Sequence, residues 1–461
     1  MRVEGKCGDM TSGQVDFENG DVRRNVLAVA APMLVAQFVN LLYNIIDRVY
    51  IGKIPGEGTI ALAGLGLCFP VITMVTAFAN LYGLGGAPLC SIARGKKDMD
   101  GARKVMNNAF VMLIITGLIL TAFGVVFHKS ILYLFGASDA TYPYAASYMV
   151  IYLLGTVFVM ISLGMNPYIN SQGFAKIGMK TVAVGAVSNL ILDPVFIFGF
   201  GLGVRGAAIA TVISQMFSAI WVLKFLTGKK AELTLGFKNF KLDMSCIWDI
   251  MKLGSSTFVM SFTNGLVQIV CNSMLSTYGG DIYISAMTVI NSVREIAETP
   301  VAAITNGSSP VISYNYGANK YDQMKQAISF MTRMCVVYSM VIWGAITVMP
   351  ELFIRIFNQE ADLLKVAVPS LHIYFFGFFM MAFQHSGQCV FKALNKAKHA
   401  VFFSIFRKAI IVVPLAICLP KISILGVAGV FMAEPISNFV GGLACYMTMH
   451  RTIIKNYKNK S

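Results

Sequence analysis

The sequence predicts an all-α integral membrane protein with twelve transmembrane helices in two pseudo-symmetric six-helix bundles. Three observations carry that reading. Of the 461 residues, 56% are apolar and 13% are charged, about half the charged share of a soluble domain. Apolar runs long enough to cross a bilayer recur along the whole chain. The first half of the chain returns in the second at a period of roughly 220 residues.

Apolar runs between charged breaks give the spans 26–50, 60–85, 105–127, 142–165, 180–200 and 205–226. They give 250–277, 283–306, 326–348, 366–390, 400–420 and 426–449 in the second half. The expected organisation is a polar N-terminal segment (1–24), a first bundle (25–226), a linker (227–247), a second bundle (248–450) and a short tail (451–461). Residues 1–24 mix acids and bases without an apolar core, so no cleavable signal peptide is expected. The nine cysteines form no CxxC pair and the five histidines are isolated. That pattern points away from disulfides, a metal site or a cofactor.

The lysines and arginines sort by side. One set of loops collects Arg94, Lys96, Lys97, Arg103 and Lys104, then Lys224, Lys229, Lys230, Lys238 and others. The opposite set receives only Arg48, Lys53, Lys129, Arg205, Arg355, Lys365 and Lys421. By the positive-inside rule both termini are expected in the cytoplasm and the protein in the plasma membrane. The net charge of +15 is then a topology signal and a contact for anionic lipid, not a nucleic-acid footprint.

The repeat is visible in two stretches. "APLCSIARGKKDMD" (87–100) places Pro88, Gly95 and Asp100 at the spacing of Pro310, Gly317 and Asp322 in "SPVISYNYGANKYD" (309–322). Pro194 and Gly206 are spaced like Pro414 and Gly426. Two bundles of the same orientation are expected to enclose a central cavity and to rock between inward and outward openings. The first helix of each half carries a polar stripe: Gln37, Asn40, Asn44 and Asp47, then Ser261, Asn264, Gln268 and Asn272. Helical spacing puts each set on one face, which lines a cavity or bonds a neighbouring helix.

Carboxylates sharpen this. "NLILDPVFIFGFG" (189–201) sets Asp193 directly before Pro194 inside hydrocarbon. The proline removes a backbone donor and is expected to bend the helix near its outer end. Topology places Asp47, Tyr148, Asn189, Asp193 and Thr211, from four helices, at one depth. The second half keeps the proline but has Val413 where the first has Asp193, so the acid is not needed to build a bundle. Two desolvated acids would share one proton, or bind Na⁺ in its place. On the eighth span, Arg294 and Glu298 lie one turn apart beside Glu295, as an ion pair that locks the second bundle or as a binding group.

These residues resemble the multidrug and toxic compound extrusion (MATE) family. "LLYNIIDRVYIGKIPGEGTIALAGL" (41–65) resembles its first-helix signature. "SNLILDPVFIFGFGLGVRGAAIATVISQ" (188–215) resembles its fifth and sixth helices, and "GLGGAPLCSIARGKKD" (83–98) its first loop. The resemblance implies a secondary antiporter, not an enzyme, that expels lipophilic organic cations against H⁺ or Na⁺. It is similar to the DinF-like branch, with Asp47, Asp193, Asn189, Tyr148 and Thr211 as coupling-ion residues. Acids expected in the seventh and tenth helices of the NorM-like branch are missing. Gln37, Asn40, Asn44, Asn264, Gln268, Arg294, Glu295 and Glu298 stand as substrate-cavity candidates. The 27 Met and 33 Phe suit flat lipophilic cations through adaptable packing and cation–π contact. A monomer is expected. The rival is a flippase for lipid-linked saccharides, which would line its cavity with cations, here Arg294, Arg407 and Lys408.

Topology is tested by labelling. In a Cys-free background, cysteines at Gly56 and Asp281 should react with an impermeant reagent from outside, and one at Lys238 should not. External labelling at Lys238 would invert the orientation.

Overall fold

The computed structural model describes residues 14–55, 57–236, 242–357 and 360–457. Gly56 and Lys238 of the labelling test therefore lie outside the described residues, and Asp281 opens a helix there. The described residues form helices and connecting turns with no strand.

The first half comprises α1 (Val22–Gly52), α2 (Gly58–Gly95), α3 (Met99–Leu134), α4 (Tyr142–Leu154), α5 (Thr156–Ser171), α6 (Ala175–Pro194) and α7 (Gly203–Leu226). The second comprises α8 (Met244–Tyr278), α9 (Asp281–Gly317), α10 (Tyr321–Val348), the short α11 (Pro350–Arg355) and α12 (Ala361–Phe375). It continues with α13 (Met381–Ala393), α14 (Ala397–Ile405), α15 (Val413–Cys418) and α16 (Ala428–Met449). Among the described residues nine helical segments are by themselves long and apolar enough to span a bilayer. The pair α4 and α5, bent by 58°, makes a further span. The charged α9 and the polar-faced α16 complete the twelve.

Three spans depart from the straight rods that the sequence predicts. The fourth bends at Gly155, between α4 and α5. The tenth turns at Gly377, whose φ of +73° is left-handed and whose missing Cβ leaves room for the Phe439 ring. The eleventh widens into a π-helical stretch, Phe406–Val412, before Pro414. Pro194 does not end its helix. Ala175–Gly199 runs on as one segment, because a π-helical turn, Val195–Gly199, follows the proline and closes with Phe200 N–H donating to Val195 O at 2.9 Å. A wider turn accommodates the lost donor without ending the helix.

The two halves meet at the end where the basic loops gather. A Cβ on Gly85 would lie 2.8 Å from Gly254 Cα, and one on Gly307 would lie 2.6 Å from Ala30 Cα. These contacts are repeat-related. Gly85 and Gly307 each stand three residues before the signature prolines Pro88 and Pro310, and Ala30 and Gly254 each stand seven before Gln37 and Ser261. The signature glycines also meet: a Cβ on Gly95 would strike Tyr314 O, and one on Gly317 would strike Ile92 O. Absent side chains let four helices approach backbone to backbone on a pseudo-twofold axis.

The first helix of each half packs across this axis. Val22, Val26 and Val29 of α1 share a core with Val301, Val311 and Ile328 of the second half. Ile250 of α8 joins the core of the first half. Loops clasp the same end. Arg94, buried on α2, bonds Ser171 O and Glu232 of the linker, while Leu233 N–H donates to Gln172 Oε1 at 2.8 Å. Lys320 donates to Glu18 O at 2.6 Å, tying α10's start to the segment ahead of α1.

The seam predicts that bulk at Gly254 is costly, since even a methyl there meets the Leu81 carbonyl. Gly254→Val should lose about 1–3 kcal/mol through overpacking, read as a lower Tm of the purified protein. A Tm equal to that of the parent would mean that α2 and α8 do not press together this closely.

Candidate functional site

Asp193 is fully buried on α6 and Asp47 nearly so on α1. Helical spacing places Asn189 one turn before Asp193, and its Nδ2 donates to Asp193 Oδ1 at 3.1 Å and to Thr211 Oγ1 of α7 at 3.4 Å. The two carboxyl groups lie within hydrogen-bonding reach of each other. Asp47 Oδ1 and Asp193 Oδ2 have no donor among the described residues. Two carboxylate oxygens cannot bond each other without a proton or a cation between them. All the groups here can offer oxygen, so the set fits a shared proton or a hard cation such as Na⁺.

Tyrosines wall the pair. Tyr148 of α4 and Tyr43 of α1 both reach the Thr211 hydroxyl. Tyr152 stacks on Tyr148 with ring centroids 6.2 Å apart. Arg48, next to Asp47 in sequence, lies over the Phe69 ring at 4.6 Å.

Beside the pair a cavity of about 310 Å³ runs among α1, α2, α5, α6 and α7 and touches α9 at Asn306. Tyr43 and Asn189 belong to both sites. The cavity wall mixes amides and hydroxyls, including Gln37, Asn40, Asn80, Asn166 and Gln215, with apolar groups such as Met33, Leu84 and Leu163, and carries no charged side chain.

The second half answers its buried charge differently. Glu434 of α16, buried, accepts from Lys408 Nζ at 2.8 and 3.1 Å, from Arg407 at 3.0 Å and from Arg294 at 3.4 Å. Arg407 also donates to Asn438 Oδ1 at 2.7 Å. Arg294 approaches Glu298 at 3.5 Å. A small cavity of about 20 Å³ adjoins this cluster, lined by Asn264, Gln268, Asn291, Arg294, Lys408 and Glu434 among others.

The profile of the MatE family matches residues 32–195 and again 257–418, one copy in each half. The chain belongs to the MatE family. The multidrug export protein MepA of Staphylococcus haemolyticus (strain JCSC1435) is 24% identical over 446 residues, covering 95% of this chain and 96% of that protein. MepA of Staphylococcus aureus (strain MSSA476) is 25% identical over the same shares. Among solved structures, the outward-facing conformation of a multidrug resistance MATE transporter of the MOP superfamily superposes with a TM-score of 0.90 at 21% identity. The match covers 97% of this chain and 99% of that one. A MOP superfamily transporter from Pyrococcus furiosus Vc1, described as having a binding pocket of reverse polarity, also gives 0.90 at 21% identity, over 96% and 98%. These structures share the fold.

In this MatE chain the five residues grouped by depth do meet. The substrate-cavity candidates divide. Gln37 and Asn40 line the large cavity, whereas Asn264, Gln268 and Arg294 line the small one. Asn44 is exposed and bonds back to Asn40 O at 2.8 Å, and Glu295 is exposed; neither lines either cavity. The stripes of α1 and α8 therefore line different pockets, and a further cavity of about 50 Å³ lies between the halves, with Met33, Leu84 and Asn170 on one side and Asn306, Pro310 and Lys392 on the other. The eighth-span pair of Arg294 and Glu298 is part of a larger network centred on Glu434, which sequence reasoning missed. Glu434 stands directly before Pro435, the same acid–proline pairing that marked Asp193. Tyr43 was missed too, although it lies one turn before Asp47.

Removing Glu434 would leave three cations facing one another in a buried site. Glu434→Gln should cost about 3–5 kcal/mol and sharply reduce Tm and yield. Glu298→Gln, at a half-buried position, should cost less. Equal stability of Glu434→Gln and the parent would mean the cluster does not hold the second bundle together.

Proposed function

We propose that this MatE protein is a secondary-active multidrug exporter that moves lipophilic organic cations outward by antiport with H⁺, or Na⁺ in its place. The observation that carries the reading is the Asp47–Asp193 pair, with its two undonated oxygens, beside an uncharged polar cavity. The relatives named as multidrug export proteins support the transport class.

The residues suggest how coupling works. With at most one proton, the acid pair is negative and draws a cation toward Tyr43 and Asn189 at the cavity's edge. The cavity's amides and hydroxyls solvate it without a fixed counter-charge, so many shapes are tolerated. A second proton, or Na⁺, neutralises the pair and removes the attraction. The cargo then leaves through whichever end is open. Alternating access follows from separating the glycine seam, which lies on the cytoplasmic side if the basic loops do. The protein sits in the plasma membrane with both termini inside and acts as a monomer. The flippase alternative needs free cations along a wide cleft. Here Arg294, Arg407 and Lys408 are gathered on Glu434 instead.

Asp193→Asn keeps size and hydrogen bonding but cannot titrate. In proteoliposomes it should abolish dye export driven by a pH or Na⁺ gradient, each imposed separately, while retaining dye binding and near-parental stability. Asp47→Asn should match it, and the double variant should be no worse, because both act on one ion. Normal gradient-driven export by Asp193→Asn, with Glu298→Gln folded and dead, would move the ion site to the second bundle.

A further inference from the structure

The second bundle's charge cluster does not balance. With Lys408 protonated, Arg294, Arg407 and Lys408 bring three positive charges against the two negative ones of Glu434 and Glu298. The other groups facing it do not restore neutrality. Tyr374 of α12 and Cys271 of α8 are uncharged, His385 and Lys392 of α13 add no acid, and Glu295 of α9 is exposed. An excess charge among helices at membrane depth is expensive and calls for a partner.

The hydrogen bonds show where that partner belongs. Lys408 reaches both Glu434 oxygens, and Arg407 makes close bonds to Glu434 and Asn438. Arg294 is the weakly served cation. The Tyr374 hydroxyl is within its reach, but its contacts to the carboxylates of Glu434 and Glu298 are long, at 3.4 and 3.5 Å, and a guanidinium has five donors and stays charged. The small cavity lies against this guanidinium and Lys408 with the Glu434 carboxylate also on its wall, and Asn264, Gln268 and Asn291 bring side-chain amides there, Asn291 Nδ2 donating to Gln268 Oε1 at 3.1 Å. Its volume of about 20 Å³ admits one water-sized particle.

We infer that this cavity binds a single monovalent anion of chloride size, held by Arg294 and Lys408 with amide donors from α8 and α9, which neutralises the cluster. The site is separate from the acid pair and does not depend on the exporter reading. It would make the second bundle's stability depend on halide, while the first bundle handles the cation or proton.

The test uses the full-length purified protein in potassium salts, so that Na⁺ at the acid pair plays no part. Chloride or bromide should raise Tm by at least about 2 °C over gluconate at equal ionic strength, and sulfate or phosphate should not. Crystals exchanged into bromide should show one anomalous peak between Arg294 and Lys408. Gln268→Leu, which removes an amide from the wall but no charge, should keep the fold and weaken the halide effect. Lys408→Gln should abolish the effect if it folds. No bromide peak together with a Tm indifferent to halide would overturn the inference, and would mean that Lys408 balances the cluster by losing its proton. A Tm rise of equal size in sulfate would also overturn it, as general screening.

Discussion

Hydrocarbon offers a buried charge no water, so each ionisable group within the spans must be answered by protein or by something the protein carries. Both bundles meet this constraint at an acid beside a proline, Asp193-Pro194 and Glu434-Pro435, and they meet it in opposite ways. In the first bundle the acid faces a second acid, and two oxygens are left without donors. In the second, three cations converge on the acid. The first arrangement is completed only by a mobile charge, which is what a coupling site needs. The second is largely complete within the fold, which suits a bundle that must keep its shape.

The repeat makes this contrast informative. Related positions keep the same backbone features: a proline beside a π-helical turn in the fifth and eleventh spans, and glycines at the crossing of α2 and α9. Shape is thus shared while charge has diverged. The reciprocal packing of α1 and α8 into the opposite cores ties the bundles together at one end. The alternating access proposed above would therefore pass through a seam built from backbone contacts. Such contacts bring few long side chains that would need to repack when the seam opens.

The two cavities follow from the same division. The large one mixes amides with apolar groups, carries no charge and borders the acid pair through Tyr43 and Asn189. The small one is walled by charge and admits one small particle. A cargo too large for the second cavity can still lie in the first. On the proposed reading, selectivity for positive charge comes from the neighbouring acids rather than from the wall.

The sequence by itself determined the twelve spans, the two-bundle architecture and the five residues around Asp193. Apolar length, charge bias and helical spacing report how deep a residue lies and which face it occupies, and for Asp47, Asn189, Asp193, Tyr148 and Thr211 depth was enough. Tertiary structure decided what depth and face leave open, namely the partner. It showed that the polar stripes of α1 and α8 turn into separate pockets, that Asn44 and Glu295 point elsewhere, and that Pro194 is absorbed by a π-helical turn. It also placed Arg294, Arg407 and Lys408, on two spans distant in sequence, around one carboxylate on a third. Spacing along a helix cannot encode such a meeting, because the rotation and tilt of each helix are set by the side chains packed against it.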